Sequence, residues 1–201
     1  MSAKKNTGKV LEMREEEKVK KPLLSEKAKK EIREWVVSLV SAAVVVLLVS
    51  NFLCTIIRVD GGSMLNTLHD GDRLYVNVLD MKLNGPERYD VVILHYPGRK
   101  GNFVKRVIGL PGDTLEVKEG VLYINGEAVE EEYLAEERTQ KFHGASSNFG
   151  PVEIPEDQYF VMGDHRDHSN DSRQVGLIDR DMFVGKATYI FWPFNRMGAI
   201  K

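Results

Sequence analysis

Residues 114–126 read TLEVKEGVLYING, and this stretch decides the class of fold. Apolar and polar residues alternate on both sides of Glu119-Gly120, as they do in strands that each bury one face. A two-residue connection that contains glycine is typical of a tight β-hairpin. Asn125-Gly126 then marks the next turn. The stretch therefore predicts two antiparallel strands, Thr114–Lys118 and Val121–Ile124.

Similar patterns recur on both sides of this hairpin. Five further strands are predicted, at residues 73–78, 90–96, Phe103–Gly109, Gln158–Met162 and 187–192, in sequence punctuated by Gly, Pro and Asn. No helical pattern separates them. Short strands at such spacing predict a mostly antiparallel β domain, either sandwich-like or barrel-like. Residues 130–150 are polar, contain Glu130-Glu131-Glu132, and are interpreted as a surface insertion without assigned chemistry.

An apolar stretch precedes the β domain. Residues 35–57 contain no charged side chain. A helix of this length would be roughly 34 Å long, enough for a hydrocarbon core of about 30 Å. The alternative, a cleaved secretory signal, has an apolar core of only about 7–15 residues. The stretch therefore predicts one N-terminal transmembrane helix that stays attached as an anchor.

Charge is distributed unevenly about this stretch, although the net charge of the whole chain is only −2. Residues 1–34 carry eleven Lys or Arg against seven Asp or Glu, whereas residues 58–201 carry 17 against 23. Basic residues beside a span favour the cytosolic side. We therefore expect a cytosolic segment 1–34, a span 35–57 and an extracytoplasmic domain 58–201 in a single-pass membrane protein. The acidic outer domain argues against nucleic acid as a partner, because phosphate binding needs a basic face.

A candidate nucleophile lies just beyond the apolar stretch. Ser63, in Gly61-Gly62-Ser63-Met64, follows residue 57 by six positions. A fully extended connection of that length spans at most about 20 Å. Ser63 is therefore expected near the lipid headgroups. A serine needs a base within hydrogen-bond reach to become a good nucleophile.

Histidine is one candidate for the base. His165 and His168 lie in residues 163–173, GDHRDHSNDSR, a stretch that is also rich in aspartate. A Ser-His-Asp triad is one interpretation and a metal site is another. Two histidines three apart in a loop are weak support for a metal, and no further ligand pattern accompanies them. We therefore predict neither metal nor organic cofactor.

Lysine is the other candidate for the base. The alternation in Phe103–Gly109 places Lys105 on the same strand face as Phe103 and Val107. An ammonium group on an apolar face loses hydration, and this lowers its pKa toward the range in which it accepts a proton. An exposed lysine on an edge strand is the alternative, and this segment alone favours the alternative.

Four motifs occur in order after the apolar stretch, and together they support the lysine. They are GGSMLNTL at 61–68, GDRLYV at 71–76, KRVIGLPGD at 105–113 and GDHRDHSNDSR at 163–173. This arrangement resembles the type I signal peptidases, which are membrane-anchored Ser-Lys proteases that remove signal peptides from exported proteins. The resemblance extends from the span to about Phe194, and it implies a mostly antiparallel β fold.

The resemblance implies a role for each matching residue. Ser63 would be the nucleophile and Lys105 the general base, with Ser169 bonded to the lysine amine. Asp171 and Arg173 would form an ion pair that, with Arg106, holds the last motif against the lysine strand. Shallow pockets for small substrate residues would be walled by four apolar residues: Val59, Met64, Leu68 and Val104. Core packing is the equally weighted alternative for any of these four.

Three positions depart from the pattern of the family. Asn66 stands where proline is usual, and His165 stands where asparagine is usual. Gly61 replaces a serine that in some members helps to bind the oxyanion, which leaves the backbone N–H of Ser63 as the expected donor.

Two other classes of protein fit parts of the sequence. A catalytically silent, membrane-anchored binding domain would be expected to lose Ser63 or Lys105, and both are present. A self-cleaving transcriptional repressor would need an N-terminal DNA-binding domain in place of the apolar stretch. The expected partners are therefore secretory precursor proteins and the lipid bilayer.

Overall fold

The computed structural model describes residues 25–65, 67–134 and 148–200, and for residues 48–53 it describes the backbone alone. The chain divides into two units, Met1–Leu48 and Val49–Lys201. Asn66 therefore lies outside the described residues, as does most of the segment 130–150.

One long helix, α1, covers Glu26–Leu53. The Ser25 hydroxyl accepts a hydrogen bond from the Ala28 N–H at 3.2 Å, which satisfies one of the free amides at the helix start. Its apolar side chains are widely exposed, with Trp35 at 78% and Leu39 at 74%. Among the described residues, no helix has the combination of length and hydropathy that a membrane span requires.

The helix ends four residues before the end predicted for it. Cys54–Arg58 form strand β1, which pairs with the strand Arg73–Asn77. Thr55, Ile56 and Ile57 are β-branched, and such side chains favour an extended backbone. The prediction of a helix up to residue 57 is therefore wrong at this end, because pairing with a neighbouring strand outweighs the continuation of the apolar pattern.

The second unit is built from two antiparallel sheets. The strands are β1 Cys54–Arg58, β2 Arg73–Asn77, β3 Val91–Leu94, β4 Phe103–Gly109, β5 Thr114–Lys118, β6 Val121–Ile124, β7 Glu127–Ala128, β8 Phe149–Glu153, β9 Gln158–Met162, β10 Ile178–Asp179, β11 Phe183–Trp192 and β12 Gly198–Ala199. The larger sheet has the order β1-β2-β11-β3-β4-β9-β10, with β12 on β11, and the smaller has the order β7-β6-β5-β8. The prediction of a mostly antiparallel β fold is confirmed.

Short helices interrupt this β unit, contrary to the sequence prediction. α2 covers Val78–Asn84 and begins where the Asn77 side chain accepts a hydrogen bond from the Asp80 N–H. α3 covers Ser172–Val175, and 3-10 turns cover Arg166–His168, Arg180–Met182 and Phe194–Arg196. These helices have only three to seven residues, too few to show a helical period in the sequence.

The connection between β1 and β2 is a closed loop over the core. The Val59 N–H donates to the Asp72 carbonyl at 2.8 Å, and the Gly71 N–H donates to the Val59 carbonyl at 2.9 Å. Met64 and Leu68 point into a core cluster that also contains residues of β2, β3 and β11. The loop 59–72 is thus fixed at its ends by backbone hydrogen bonds and in its middle by side chains that pack into the core.

Candidate active site

Ser63 lies in a turn of the loop 59–72. The Leu65 N–H donates to the Gly62 carbonyl at 3.1 Å, and the buried Met64 follows Ser63 directly. Gly61 has a φ of +93°, a conformation that glycine adopts without strain, and its N–H donates to Asp70 Oδ1 at 2.9 Å. The turn presents the partly exposed Ser63 above the core.

Lys105 lies in the middle of β4, between β3 and β9. It is 2% exposed, and its Nζ donates to Ser63 Oγ at 2.7 Å and to the Val104 carbonyl at 2.9 Å. Burial lowers the pKa of Lys105 from 10.5 to about 8, although the carboxylates of Asp171 and Asp164 act in the opposite direction. A lysine with this pKa is a competent base near neutral pH.

Of the two histidines in the last motif, His165 contacts the turn of Ser63, but through the backbone of that turn. The His165 N–H donates to the Ser63 carbonyl at 3.1 Å, and His165 Nδ1 lies 3.1 Å from the Gly62 carbonyl. The rings of His165 and His168 are 4.4 Å apart. Within the described residues, no group of three or more His, Cys, Asp or Glu is placed to hold a metal ion. The hydroxyl of Ser63 is therefore bonded to lysine, and histidine holds the main chain beside it.

Asp171 and Arg173 form the predicted ion pair. Arg173 Nε and Nη2 each lie 2.8 Å from an oxygen of Asp171, and both side chains are at most 3% exposed. Asp171 also caps α3 and accepts a hydrogen bond from the Gly163 N–H at 3.0 Å. The pair thus fixes the backbone of the motif 163–173.

Arg106 has a partner that the sequence analysis did not assign. Its Nε and Nη2 lie 2.9 and 2.7 Å from the two oxygens of Asp164, and both side chains are 1% exposed. The Thr67 hydroxyl donates to Asp164 Oδ2 at 2.5 Å. Asp164 therefore joins β4 to the loop 59–72, and its position in an aspartate-rich motif was the only signal for it in the sequence.

The hydrogen bond predicted between Ser169 and Lys105 is not formed. Ser169 Oγ is buried and has no hydrogen-bond partner among the described residues. Instead, Ser169 packs against Gly163, where an added Cβ would lie 2.2 Å from Ser169 Oγ and 2.4 Å from the Ser63 carbonyl oxygen. Only glycine fits between these two serines, which makes Gly163 a site residue that sequence reasoning missed.

The four predicted pocket residues belong to one core cluster. Val59, Met64 and Leu68 are at most 3% exposed, and Val104 is partly buried against them. Core packing therefore describes the first three, and Val104 is the residue with surface available to a substrate. A cavity of about 880 Å³ lies elsewhere, between α2 and the start of β11, and contains none of the predicted residues.

The sequence of this chain is similar to those of known proteins over most of its length. The model of the family described as signal peptidase, peptidase S26, matches residues 32–192. Signal peptidase I S of Bacillus subtilis (strain 168) is 43% identical over 174 residues, which cover 84% of this chain and 94% of that protein. Signal peptidase IB of Staphylococcus aureus (strain COL) is 40% identical over 178 residues, which cover 83% and 93%.

A solved structure also matches. The crystal structure of a signal peptidase I from Enterococcus faecalis V583 is 33% identical, with a TM-score of 0.45, and the match covers 51% of this chain and 97% of that one. The resemblance found in the four motifs is confirmed by the family model and by the two relatives, whose matches extend over most of the sequence. Since the family model matches far more than half of the sequence, this chain belongs to the signal peptidase family, peptidase S26.

Proposed function

We propose that this protein is a membrane-bound serine endopeptidase that removes N-terminal signal peptides from exported precursor proteins. The observation that carries the proposal is the 2.7 Å contact between Ser63 Oγ and Lys105 Nζ, made by a buried lysine whose pKa is lowered to about 8. Membership of the signal peptidase family supports the class of substrate.

Acylation begins with a proton transfer inside this Ser-Lys dyad. The neutral amine of Lys105 takes the proton of the Ser63 hydroxyl as Oγ attacks the scissile carbonyl carbon. The carbonyl oxygen becomes an oxyanion, for which the backbone N–H of Ser63 is the proposed donor. When the C–N bond breaks, the Lys105 ammonium returns a proton to the leaving amine, and an ester on Ser63 remains.

Deacylation uses the same two residues, with water as the nucleophile and Ser63 Oγ as the leaving group. Lys105, neutral again, takes a proton from a water molecule, whose oxygen attacks the ester carbonyl. The second tetrahedral intermediate collapses with Ser63 Oγ as the leaving group, which takes its proton back from the lysine. The signal peptide leaves with a new C-terminal carboxylate, and the dyad returns to its starting state without any cofactor.

The remaining polar residues of the site hold this geometry. The Val104 carbonyl accepts a second hydrogen bond from Lys105 Nζ at 2.9 Å and so orients the amine. The ion pair Asp171–Arg173 fixes the backbone within the motif 163–173, and the ion pair Arg106–Asp164 holds this motif against β4. We assign supporting roles to these groups and to Ser169, whose hydroxyl is buried beside Gly163.

Residues 35–53, the apolar part of α1, supply the proposed membrane anchor. This stretch contains no charged residue, and residues 1–34 before it carry the excess of Lys and Arg that favours the cytosolic side. A signal peptide offers its cleavage site just beyond its own apolar core. Anchored enzyme and inserted substrate would thus meet at the outer face of the membrane.

The substrate would bind as an added strand, with small residues in shallow pockets. Val104 is only partly buried and would line such a pocket directly, whereas Val59, Met64 and Leu68 would form its packed base. These three core residues cannot move aside easily for a larger substrate side chain, because protein cores are close-packed. The site should therefore prefer alanine at the positions P1 and P3 of the precursor.

The direct test is cleavage of a secretory precursor by the full chain in detergent, followed by N-terminal sequencing of the product. We expect one cut after an Ala-x-Ala sequence. We also expect Ser63→Ala and Lys105→Ala each to abolish the cut, because nucleophile and base act as a unit. An intact precursor with the wild-type protein would contradict the proposal. Cleavage by Lys105→Ala but not by His165→Ala would move the base to histidine.

A further inference from the structure

A buried arginine lies directly behind the proposed site. Arg166 is 1% exposed, although it occupies a short 3-10 turn in the middle of the motif 163–173. Its Nε donates to the Gly163 carbonyl at 3.1 Å, and its own carbonyl accepts a hydrogen bond from Arg173 Nη2 at 2.6 Å. A guanidinium group removed from water to this extent requires a negatively charged partner.

The partner comes from a segment to which the sequence analysis assigned no chemistry. Glu131 is 11% exposed in its side chain and binds the guanidinium of Arg166 with both carboxylate oxygens, Oε2 at 2.6 Å from Nη1 and Oε1 in contact with Nη2. Such paired, charge-assisted hydrogen bonds fix both distance and orientation. The neighbours Glu130 and Glu132 are exposed. The interpretation of residues 130–150 as a surface insertion is therefore wrong at Glu131.

Tyr133 contacts Glu131, Arg166 and also Arg106 of strand β4. Its hydroxyl donates to Glu131 Oε1 and accepts from Arg166 Nη2 at 3.1 Å. Its ring lies 4.1 Å from the guanidinium carbon of Arg106, which follows Lys105 in β4. Leu134 is buried, and its N–H donates to the Glu131 carbonyl at 2.9 Å. The segment 130–134 thus contacts both arginines behind the dyad.

Gly163 connects this contact to the nucleophile. Its N–H is held by Asp171 and its carbonyl by Arg166, so both sides of the residue are fixed by buried charged groups. An added Cβ at Gly163 would lie 2.4 Å from the Ser63 carbonyl oxygen, which shows how closely the two residues approach. A shift of the Gly163 carbonyl therefore moves the surface on which Ser63 rests.

We infer that Glu131 is a positioning residue for the Ser63–Lys105 dyad and acts through Arg166 on the backbone of Gly163. The inference rests on the proposed function for its kinetic test. The side chain of Glu131 bonds Arg166 and Tyr133. It bonds neither residue of the dyad and none of the four proposed pocket residues. Its loss should consequently lower kcat and leave KM nearly unchanged.

The first test compares Glu131→Gln with Glu132→Gln in cleavage of the same precursor by the full chain. Both substitutions remove one carboxylate from adjacent positions, but only Glu131 faces a buried charge. We expect kcat of Glu131→Gln to fall by about tenfold to a hundredfold, the scale of a misplacement of about 1 Å at a reacting group. Glu132→Gln should match the wild type. Equal kcat for all three proteins would overturn the inference.

A double-mutant cycle with Arg166→Met separates positioning from general stability. Methionine removes the buried charge that Glu131 balances, so Glu131→Gln with Arg166→Met should melt at a higher temperature than Glu131→Gln alone. Its kcat should stay at the level of Arg166→Met, because Glu131 has lost the residue through which it acts. Additive losses of kcat, or recovery of wild-type kcat together with stability, would contradict the inference. The cycle also decides the case in which Glu131→Gln alone does not fold.

Amide hydrogen exchange gives a readout that needs no cleavage. The N–H groups of Gly163 and His165 are bonded to Asp171 and to the Ser63 carbonyl, and Glu131→Gln should accelerate their exchange while the β5–β6 hairpin keeps its protection. Glu132→Gln should change neither region. Unchanged exchange at Gly163 and His165 would refute the positioning role. Faster exchange in a chain that cuts no precursor would support the positioning role and refute the proposed peptidase.

Discussion

At the scale of the residue, burial gives Lys105 its chemistry. The amine lies in a strand that is buried on both faces from Lys105 to Gly109, and its Nζ bonds the Ser63 hydroxyl and one carbonyl. Loss of hydration disfavours the ammonium form, and it is the largest cause of the lowered pKa. The same burial that suits Lys105 to the proposed role of base should also make the lysine lower the stability of the fold.

The pH dependence of cleavage should report the titration of this lysine. Because the neutral amine is the proposed base, kcat/KM should rise with pH through a midpoint near 8 and then level off. At pH 7 roughly a tenth of the enzyme would hold the neutral amine. The measurement is initial rates from pH 6 to 10, with and without EDTA, which should have no effect. A rate that is lost in EDTA and restored by zinc would contradict the metal-free mechanism.

Replacing Lys105 by methionine should stabilise the fold while it abolishes cleavage. The folded protein binds fewer protons than the unfolded chain between pH 8 and 10.5, so the cost of burying the ammonium is full below pH 8 and disappears as pH approaches 10.5. We expect Lys105→Met to raise the free energy of unfolding at pH 7 by about 1–3 kcal/mol, with a smaller gain at pH 10. Unfolding in denaturant at each pH measures this free energy. The control is Lys100→Met, because Lys100 is exposed. A constant gain across this range would disprove the link to titration.

At the scale of the element, the site depends on how closely the loop 59–72 approaches the motif 163–173. The His165 N–H bonds the Ser63 carbonyl, Thr67 bonds Asp164, and Gly163 packs against both Ser63 and Ser169. These contacts bring Ser63 to β4, where Lys105 bonds its hydroxyl.

Gly163→Ala should separate these two elements. The new Cβ would lie 2.4 Å from the Ser63 carbonyl oxygen and 2.2 Å from Ser169 Oγ, distances that force one of them to move. We expect kcat/KM to fall by about a hundredfold or more, since the nucleophile is displaced from its base. Gly198→Ala is the matched control, because an added Cβ there meets nothing within 4 Å. Precursor cleavage near the wild-type rate in Gly163→Ala would refute the close approach.

The core residues beneath the proposed pocket should limit the size of the side chain that a substrate can carry at P1. Val59, Met64 and Leu68 are buried in a core cluster on which Val104 rests, so the pocket cannot widen without moving the core. A precursor with phenylalanine at P1 should be cleaved far more slowly than one with alanine, because overfilling costs about 1–3 kcal/mol and also displaces the scissile carbonyl. The measurement is kcat/KM for the matched precursors. Equal rates would refute the small pocket and weaken the case for signal peptides as substrates.

At the scale of the whole molecule, an acidic β unit follows an apolar stretch with a basic leader. If residues 35–53 anchor the chain as proposed, enzyme and precursor share one thin layer at the membrane surface. Their effective concentration is then set by that layer rather than by the bulk solution.

Removal of the apolar core from the precursor should therefore slow cleavage most where a bilayer is present. With enzyme in liposomes, we expect a rate at least about tenfold lower for the shortened precursor, because it loses the shared membrane. In detergent solution the two precursors should differ less. Cleavage of both precursors at one rate in liposomes would rule out membrane delivery of the substrate.

Much of the fold was predictable because its signals are local. β4, β5, β6 and β9 have the bounds predicted from their apolar patterns and turn residues. β5 and β6 alternate because one face is buried, whereas β4 and β9 are continuous runs because both faces are buried. The end of α1 was not predictable in this way, because apolar residues favour a helix and a buried strand equally. β1 is decided by its hydrogen bonds to β2.

The sequence alone specifies the class of fold and, through motifs whose order is specific even though each one is modest, the candidates Ser63 and Lys105 for nucleophile and base. Only the tertiary structure decided which side chains meet: Lys105 bonds Ser63 across 42 residues, Glu131 bonds Arg166 across 35, and Asp164 bonds Arg106 across 58. The physical reason is that strand order in a sheet brings together residues that are remote in sequence. Local propensity and side-chain period encode neither that order nor the partner that each buried charge requires.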